Sequence, residues 1–182
     1  MGEAVLVTER LELRRIAPGD IDLQLRHLNT PAVMRHLGGV KTREAIAEKH
    51  ARTQALWDRD GFGFMMMWER ETGELVGHCG MKRVDHPLAP NPGDHEIGWL
   101  VREDRWRRGY AHEAMRKVLD RGFAVHAAPQ LVALTCEANL GSWRLMEKLG
   151  MRRRAELDFS DPADPEPFIQ YAITRQEWEN QP

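Results

Sequence analysis

The sequence predicts a mixed α/β fold: a twisted, mostly antiparallel sheet of about seven strands, with a central parallel pair and helices on both faces. Three observations lead there. Residues 62–69 and 74–83 read as strands joined by the tight turn Thr72-Gly73, which makes them antiparallel. Strand-like runs at 95–101 and 131–136 flank a helix-like run, and a strand–helix–strand unit places its two strands parallel. The run 131–136 is apolar and rich in branched residues, as suits the centre of a sheet.

The elements follow in order. Leu11 and Leu13 alternate with polar residues as in a strand. Pro18-Gly19-Asp20 breaks that pattern and opens a helix to about His27. Residues 28–40, with Pro31 and Gly38-Gly39, read as a loop or a broken helix. Thr42 caps a helix that carries Ala45, Ile46 and Leu56 and runs to about Arg59. Asp60-Gly61 is a turn before the strand pair 62–69 and 74–83; residues 85–93 hold three prolines and form a loop. After the strand 95–101, Ala111, Met115, Val118, Leu119 and Gly122 give the helix 109–125 one apolar or small face. Beyond the strand 131–136, a short helix over 140–149 is stopped by Gly150. Residues 151–157 and 168–174 are expected as strands around an acidic, proline-containing loop at 160–167, and the polar C-terminal residues are expected to fray.

At 182 residues the chain fits one domain, 1–182, large enough for a single core. Hydrophobic residues at 42% and charged ones at 30% describe an ordinary soluble protein. A formal net charge of −2 argues against nucleic acid or an anionic membrane as the main partner. No run approaches the ~20 apolar residues of a membrane span, and the N-terminus has no apolar signal core. Cys79 and Cys136 sit in apolar runs without Cys-x-x-Cys spacing and read as buried thiols of a reducing compartment; a cytoplasmic location is expected.

The segment richest in chemistry is Trp106-Arg107-Arg108-Gly109-Tyr110-Ala111-His112-Glu113-Ala114. It lies where a strand passes into a helix. Free N–H groups at a helix start carry partial positive charge and suit a phosphate, Gly109 admits close backbone approach, and Arg107 and Arg108 add full charges. A basic turn that merely precedes a helix is the simpler reading of this motif alone. Downstream, Asn139-Leu140-Gly141-Ser142 leads to Glu147-Lys148-Leu149-Gly150.

Together with Thr8-Glu9-Arg10-Leu11-Glu12-Leu13-Arg14 and Glu96-Ile97-Gly98, these segments resemble the GNAT superfamily of acetyl-CoA-dependent N-acetyltransferases, and within it the branch containing ribosomal-protein N-terminal acetyltransferases. The resemblance covers most of residues 8–174. It implies a GNAT-like fold and acetyl-CoA as co-substrate, with no metal. It implies a pyrophosphate site formed by the amides of residues 106–111 (Trp106, Arg107, Arg108, Gly109, Tyr110 and Ala111), and pantetheine pairing along Leu100 and Val101. Arg107 departs from the family pattern, where glycine is usual. Backbone binding is expected to tolerate an arginine there with an ordinary φ, but not at a position that demands a positive one.

Transfer from a thioester to an amine by direct attack needs a neutral amine, a stabilised oxyanion and a protonated thiolate. The resemblance offers Glu96 as the base, for which a solvated strand-end charge is an equal reading; Glu137, at the end of the following strand, is the alternative and reads more simply as a solvated charge. It places Asn139 and Ser142 beside the pantetheine and sulfur, and Ser142 as the acid. Both residues are also favoured helix caps. Many family members carry a tyrosine one turn further along, where this chain has Met146. His78, Cys79 and His95 lack the spacing of a zinc site, and Met65-Met66-Met67 reads as sheet packing. Glu113 is expected to support the helix start by its charge, and Trp57, Trp68 and Trp99 to be core or cleft wall. The expected acceptor is a primary amine, either a protein N-terminus or a small molecule. Asp158, Asp161, Asp164 and Glu166 would favour a cationic one if they are more than a solvated loop. A homodimer is expected from the family. The competing functions are a non-catalytic acyl-CoA-binding sensor or scaffold, and a structural subunit that has lost the cofactor.

Overall fold

A computed structural model describes residues 2–164 and 166–181. Pro165, in the loop expected over 160–167, lies outside the described residues. The strands are β1 (Ala4–Val7), β2 (Leu11–Arg15), β3 (Phe64–Glu69), β4 (Leu75–Arg83), β5 (His95–Val101), β6 (Gln130–Thr135), β7 (Arg152–Arg153) and β8 (Ile169–Thr174). The helices are α1 (Asp20–His27), α2 (Arg43–Asp60), α3 (Tyr110–Ala124), α4 (Leu140–Lys148) and α5 (Arg175–Glu179). The eight strands lie in the order β1-β2-β3-β4-β5-β6-β8-β7. The sheet is mostly antiparallel, and the crossover through α3 makes β5 and β6 parallel, with His95 opposite Leu131 and Glu96 opposite Val132.

Backbone contacts divide the chain into two compact units, Met1–Gly80 with Trp99–Lys117 and Met81–Gly98 with Val118–Pro182. In the first unit the alternation of β2 buries Leu11 and Leu13 completely. Met66, Trp68 and Leu75 pack with Leu28, flanked by Ile16 and Leu23. The three consecutive methionines and Trp68 are buried residues of β3, and Trp57 is buried on α2. The Thr42 hydroxyl accepts from the Ala45 N–H, and Gly61, at φ 71°, ends α2 in the left-handed conformation that a side chain disfavours. In the irregular stretch 28–40, the Asn29 amide bonds both the N–H and the carbonyl of Lys41 and so replaces the missing helix ladder.

In the second unit, Val84, Ala89, Val132 and Ala172 form a core with Leu134 and Phe159. Leu131, Val132 and Ala133 of β6 are almost wholly buried, as a central strand requires. A Cβ on Gly122 would come within 2.7 Å of Leu131 Cδ1, so the small residue lets helix and strand approach closely.

The structure differs from the sequence reading at four short elements. The sheet has eight strands rather than about seven, because β1 adds an edge by pairing with β2. The strand expected over 151–157 shrinks to β7, and a 3-10 turn at Ala155–Leu157 replaces the rest. β8 begins at Ile169, and Phe168 contributes only an isolated bridge to Phe159. The end of the chain is ordered as α5 by a capping box, in which the Thr174 hydroxyl accepts from the Glu177 N–H and the Glu177 carboxylate accepts from the Thr174 N–H.

Candidate functional site

The loop 106–111 belongs to the first unit and is built in left-handed steps. Arg107 has φ 61° and Gly109 φ 82°. For Gly109 this conformation costs little, whereas a non-glycine residue pays of the order of 1 kcal/mol for it. The condition set by the sequence is therefore not met: the position needs a positive φ and holds an arginine, and the loop keeps the conformation regardless. The turn ends at the start of α3, where the Glu113 N–H reaches back to the Gly109 carbonyl. The N–H groups of Tyr110, Ala111 and His112 precede the first helical bond and lack a helical acceptor.

What holds this loop lies far from it in sequence. The turn between β1 and β2 is closed by Thr8, whose N–H donates to the Leu11 carbonyl at 2.8 Å and whose Oγ1 accepts from the Leu11 N–H at 2.9 Å. That turn docks on α3. The Thr8 hydroxyl and the Arg10 N–H both donate to Glu113 Oε1, and Arg10 Nε donates to Glu113 Oε2 at 2.6 Å. The Arg10 guanidinium also donates to the Arg108 carbonyl at 3.0 Å and lies 4.5 Å from the Tyr110 ring centroid. Burial alone would raise the Glu113 carboxyl, but the Thr8 hydroxyl and both Arg10 donors outweigh it and hold it below the usual range.

A second strut fixes Tyr110, which is buried. Its hydroxyl donates to Glu69, which also accepts from the Thr72 hydroxyl at 2.7 Å and from Arg105 at 3.1 Å. The Tyr110 and Thr72 donors, aided by the charges of Arg105 and Arg108, keep Glu69 below the usual carboxylate range despite its burial. The same hydrogen bond, with burial, raises the Tyr110 phenol. The Tyr110 side chain is thus a support, and only its backbone is available to a ligand. Trp106 is 43% exposed, and its indole N–H donates to the Val101 carbonyl at 2.7 Å. The Leu100 carbonyl lies against Gly77, where a Cβ would come within 2.1 Å of it. The Val101 carbonyl, already accepting from the indole, keeps one lone pair for an added chain.

The remaining predicted residues belong to the second unit. Glu96 on β5 is largely buried and pairs with Lys82 Nζ at 3.2 Å, while Lys82 also pairs with Asp85. Burial works against the Lys82 charge, but Glu96 and Asp85 prevail and raise its pKa above the ordinary value. His95, next along β5, points away and meets Arg83 instead. Glu137 is a solvated charge, 82% exposed with Arg153 at 4.0 Å. Asn139 is the N-cap of α4, and its side-chain oxygen accepts from the Ser142 N–H at 3.3 Å. Ser142 is half-buried, and its hydroxyl has no hydrogen-bond partner among the described residues. Met146 is 1% exposed and is core. Of the predicted residues, the loop set is brought together in the first unit, and Asn139 and Ser142 in the second.

The family Acetyltransferase (GNAT) domain matches residues 10–152. The chain belongs to the GNAT acetyltransferases. It is 34% identical over 181 residues to the uncharacterized N-acetyltransferase YnaD of Bacillus subtilis, covering 95% of this chain and 98% of that one. A solved acetyltransferase from Agrobacterium tumefaciens is 28% identical, with a TM-score of 0.79 over 96% of each chain. A spermidine N-acetyltransferase from Vibrio cholerae, solved with CoA and spermine, shares the fold with a TM-score of 0.73 at 14% identity, over 94% of this chain and 99% of that one. Membership implies acetyl-CoA binding, and the loop fits it: two left-handed residues, three helix-start amides and the cations Arg107 and Arg108 suit a pyrophosphate.

The sequence did not single out Arg10, Glu69, Arg105 or Lys82 for these roles. Arg10 and Glu113 are 103 residues apart, and no local period connects them. The one available signal was that both fall inside motif segments.

Proposed function

We propose that the chain transfers the acetyl group of acetyl-CoA directly to a primary amine in a ternary complex. The observation that carries this is the left-handed turn at Arg107 and Gly109, held in place at the start of α3. In this reading the amides of 107–111 hold the pyrophosphate, that of Trp106 being bonded to the Glu103 carbonyl, and Leu100 and Val101 offer their backbone to the pantetheine. Asn139 and Ser142 serve the thioester end. Glu96 accepts the proton that the amine loses as its nitrogen forms the new bond to the acetyl carbon. The carbon–sulfur bond breaks, and the Ser142 hydroxyl donates to the departing thiolate.

Lys82 Nζ stands 3.2 Å from the Glu96 carboxylate, so the group that would take the amine proton is shared with an ammonium. An α-amine of pKa ~8 is about a tenth neutral at pH 7, whereas a lysine of pKa ~10.4 is neutral to less than about a thousandth, so an α-amine asks less of the base. This supports a peptide N-terminus, as does the motif likeness to ribosomal-protein N-terminal acetyltransferases; a small-molecule amine is the other acceptor class. A cytoplasmic enzyme acting as a homodimer agrees with this reading. The experiment is a thiol-release assay with acetyl-CoA against N-terminal peptides, polyamines and aminoglycosides in parallel. Turnover of one class supports the reading.

A second reading, a non-catalytic acyl-CoA sensor, is favoured by Met146, a core residue that cannot donate a proton. Acetyl-CoA binding without turnover of any amine would select it.

A further inference from the structure

We propose that Arg10, on the turn between β1 and β2, is a further residue of the cofactor site. It fixes the loop conformation and presents one unused N–H edge to the pyrophosphate. This rests on the acetyl-CoA reading above. The guanidinium has three nitrogens. Nε is committed to Glu113 and Nη1 to the Arg108 carbonyl. Nη2 has no hydrogen bond among the described residues and lies 3.4 Å from the position a Gly109 Cβ would take. Two further bonds of about 1.5 Å lead from there to the Gly109 amide nitrogen, so the two donors are within about 6 Å. One oxygen at about 2.9 Å from each donor can bridge them.

Arg10 is suited to both tasks. Its side chain is 42% exposed and accessible to a ligand, while Glu113 and the Tyr110 ring restrict where the fork points. A planar guanidinium can hold a carboxylate, a carbonyl and an anion on separate edges, which a single ammonium cannot. The Arg108 carbonyl stands between Arg107 and Gly109, so the contact at 3.0 Å pins the centre of the left-handed turn. Without it, a loop carrying arginine at a positive φ has less to hold it there.

The test compares two acetyl donors: acetyl-CoA, which carries the pyrophosphate, and S-acetylpantetheine, which does not. Arg10→Met should raise the Kd for acetyl-CoA about tenfold or more, as expected for a lost charge-assisted contact and a loosened loop. Turnover of S-acetylpantetheine should fall clearly less than turnover of acetyl-CoA, and kcat at saturating acetyl-CoA should fall less than kcat/KM for acetyl-CoA. Arg10→Lys, which keeps the charge and the partner Glu113, should fall between Arg10→Met and wild type; it also replaces the methionine variant if that one does not fold. An unchanged acetyl-CoA Kd, or an equal loss with both donors, overturns the inference, because a merely structural residue would harm both. Gly109→Asp separates the levels. If it loses acetyl-CoA while the Arg10 variants bind normally, only the Arg10 assignment falls. If it binds acetyl-CoA like wild type, the site reading falls and takes Arg10 with it.

Discussion

The loop 106–111 and the start of α4 are both places where a helix begins, yet they are built differently. Arg10 bonds the loop at the Arg108 carbonyl and the helix that follows it at Glu113, and Glu69 bonds Tyr110, so both supports come from segments far away in sequence. Its conformation includes a positive φ that its own sequence disfavours. The start of α4 is held by one local cap, Asn139, and the half-buried hydroxyl of Ser142 beside it takes no part in that cap. A segment that the fold constrains against local preference is where a ligand of fixed shape is expected. A segment explained by its own capping gives no such signal. The proposed anion-binding role therefore draws on a constraint of the fold that the proposed catalytic roles lack, and experiments on the two regions should behave differently.

The largest expected effect is on the chemistry. Glu96→Gln should lower kcat by about 10²-fold or more, with acetyl-CoA binding unchanged. The loss should shrink at high pH, where the amine deprotonates unaided. A defect independent of pH would detach Glu96 from the proton transfer. Ser142→Ala should slow turnover by about 10- to 10³-fold while leaving α4 intact, since the cap oxygen is supplied by Asn139. Asn139→Ala should instead cost about 1 kcal/mol of stability, read from denaturant unfolding. If the two swap phenotypes, the contrast drawn between cap and hydroxyl is wrong.

A third effect concerns pH. Full burial, with the neighbouring charges of Lys49 and His50, pushes the His78 imidazole well below its ordinary value. A depressed histidine favours the folded state at pH above its unfolded value, about 6.5. Below that pH the unfolded chain binds a proton that the folded one refuses. Stability should therefore fall as pH drops below about 6.5, by up to about 1.4 kcal/mol per pH unit from this group. His78→Leu should flatten that slope in urea titrations at pH 5 to 7; an unchanged slope would assign it to other groups. Smallest is Arg107→Gly. Relief of the left-handed strain, partly offset by glycine's greater freedom in the unfolded chain, should raise Tm by about 2 °C. A fall in Tm would mean that the arginine side chain contributes more than its backbone costs.

These contrasts also explain what the sequence could show. The strand–helix–strand unit was legible because the apolar face of α3 and the buried run of β6 are local patterns bounded by Gly109 and Pro129. β1 was missed because four residues are too few to establish a period, and it exists by pairing with β2. The helix α5 was missed although its signature, Thr174 followed three residues later by Glu177, stood in the sequence; the polar composition of 175–179 concealed it. In the site, the positions of the loop and of Asn139 and Ser142 could be read from motifs. The Arg10–Glu113 and Lys82–Glu96 pairs could not, since each depends on strand or turn neighbours that only the fold brings together.

The central claim is that the loop at the start of α3 binds the pyrophosphate of acetyl-CoA through its backbone. Titration calorimetry of acetyl-CoA into wild type and Gly109→Asp tests it most directly. Gly109 is exposed at φ 82°, and an aspartate there adds both strain and a negative charge facing the expected anion. The account predicts saturable binding to wild type and none measurable to the variant, with the variant still folded by circular dichroism. Equal affinity in both proteins would contradict it.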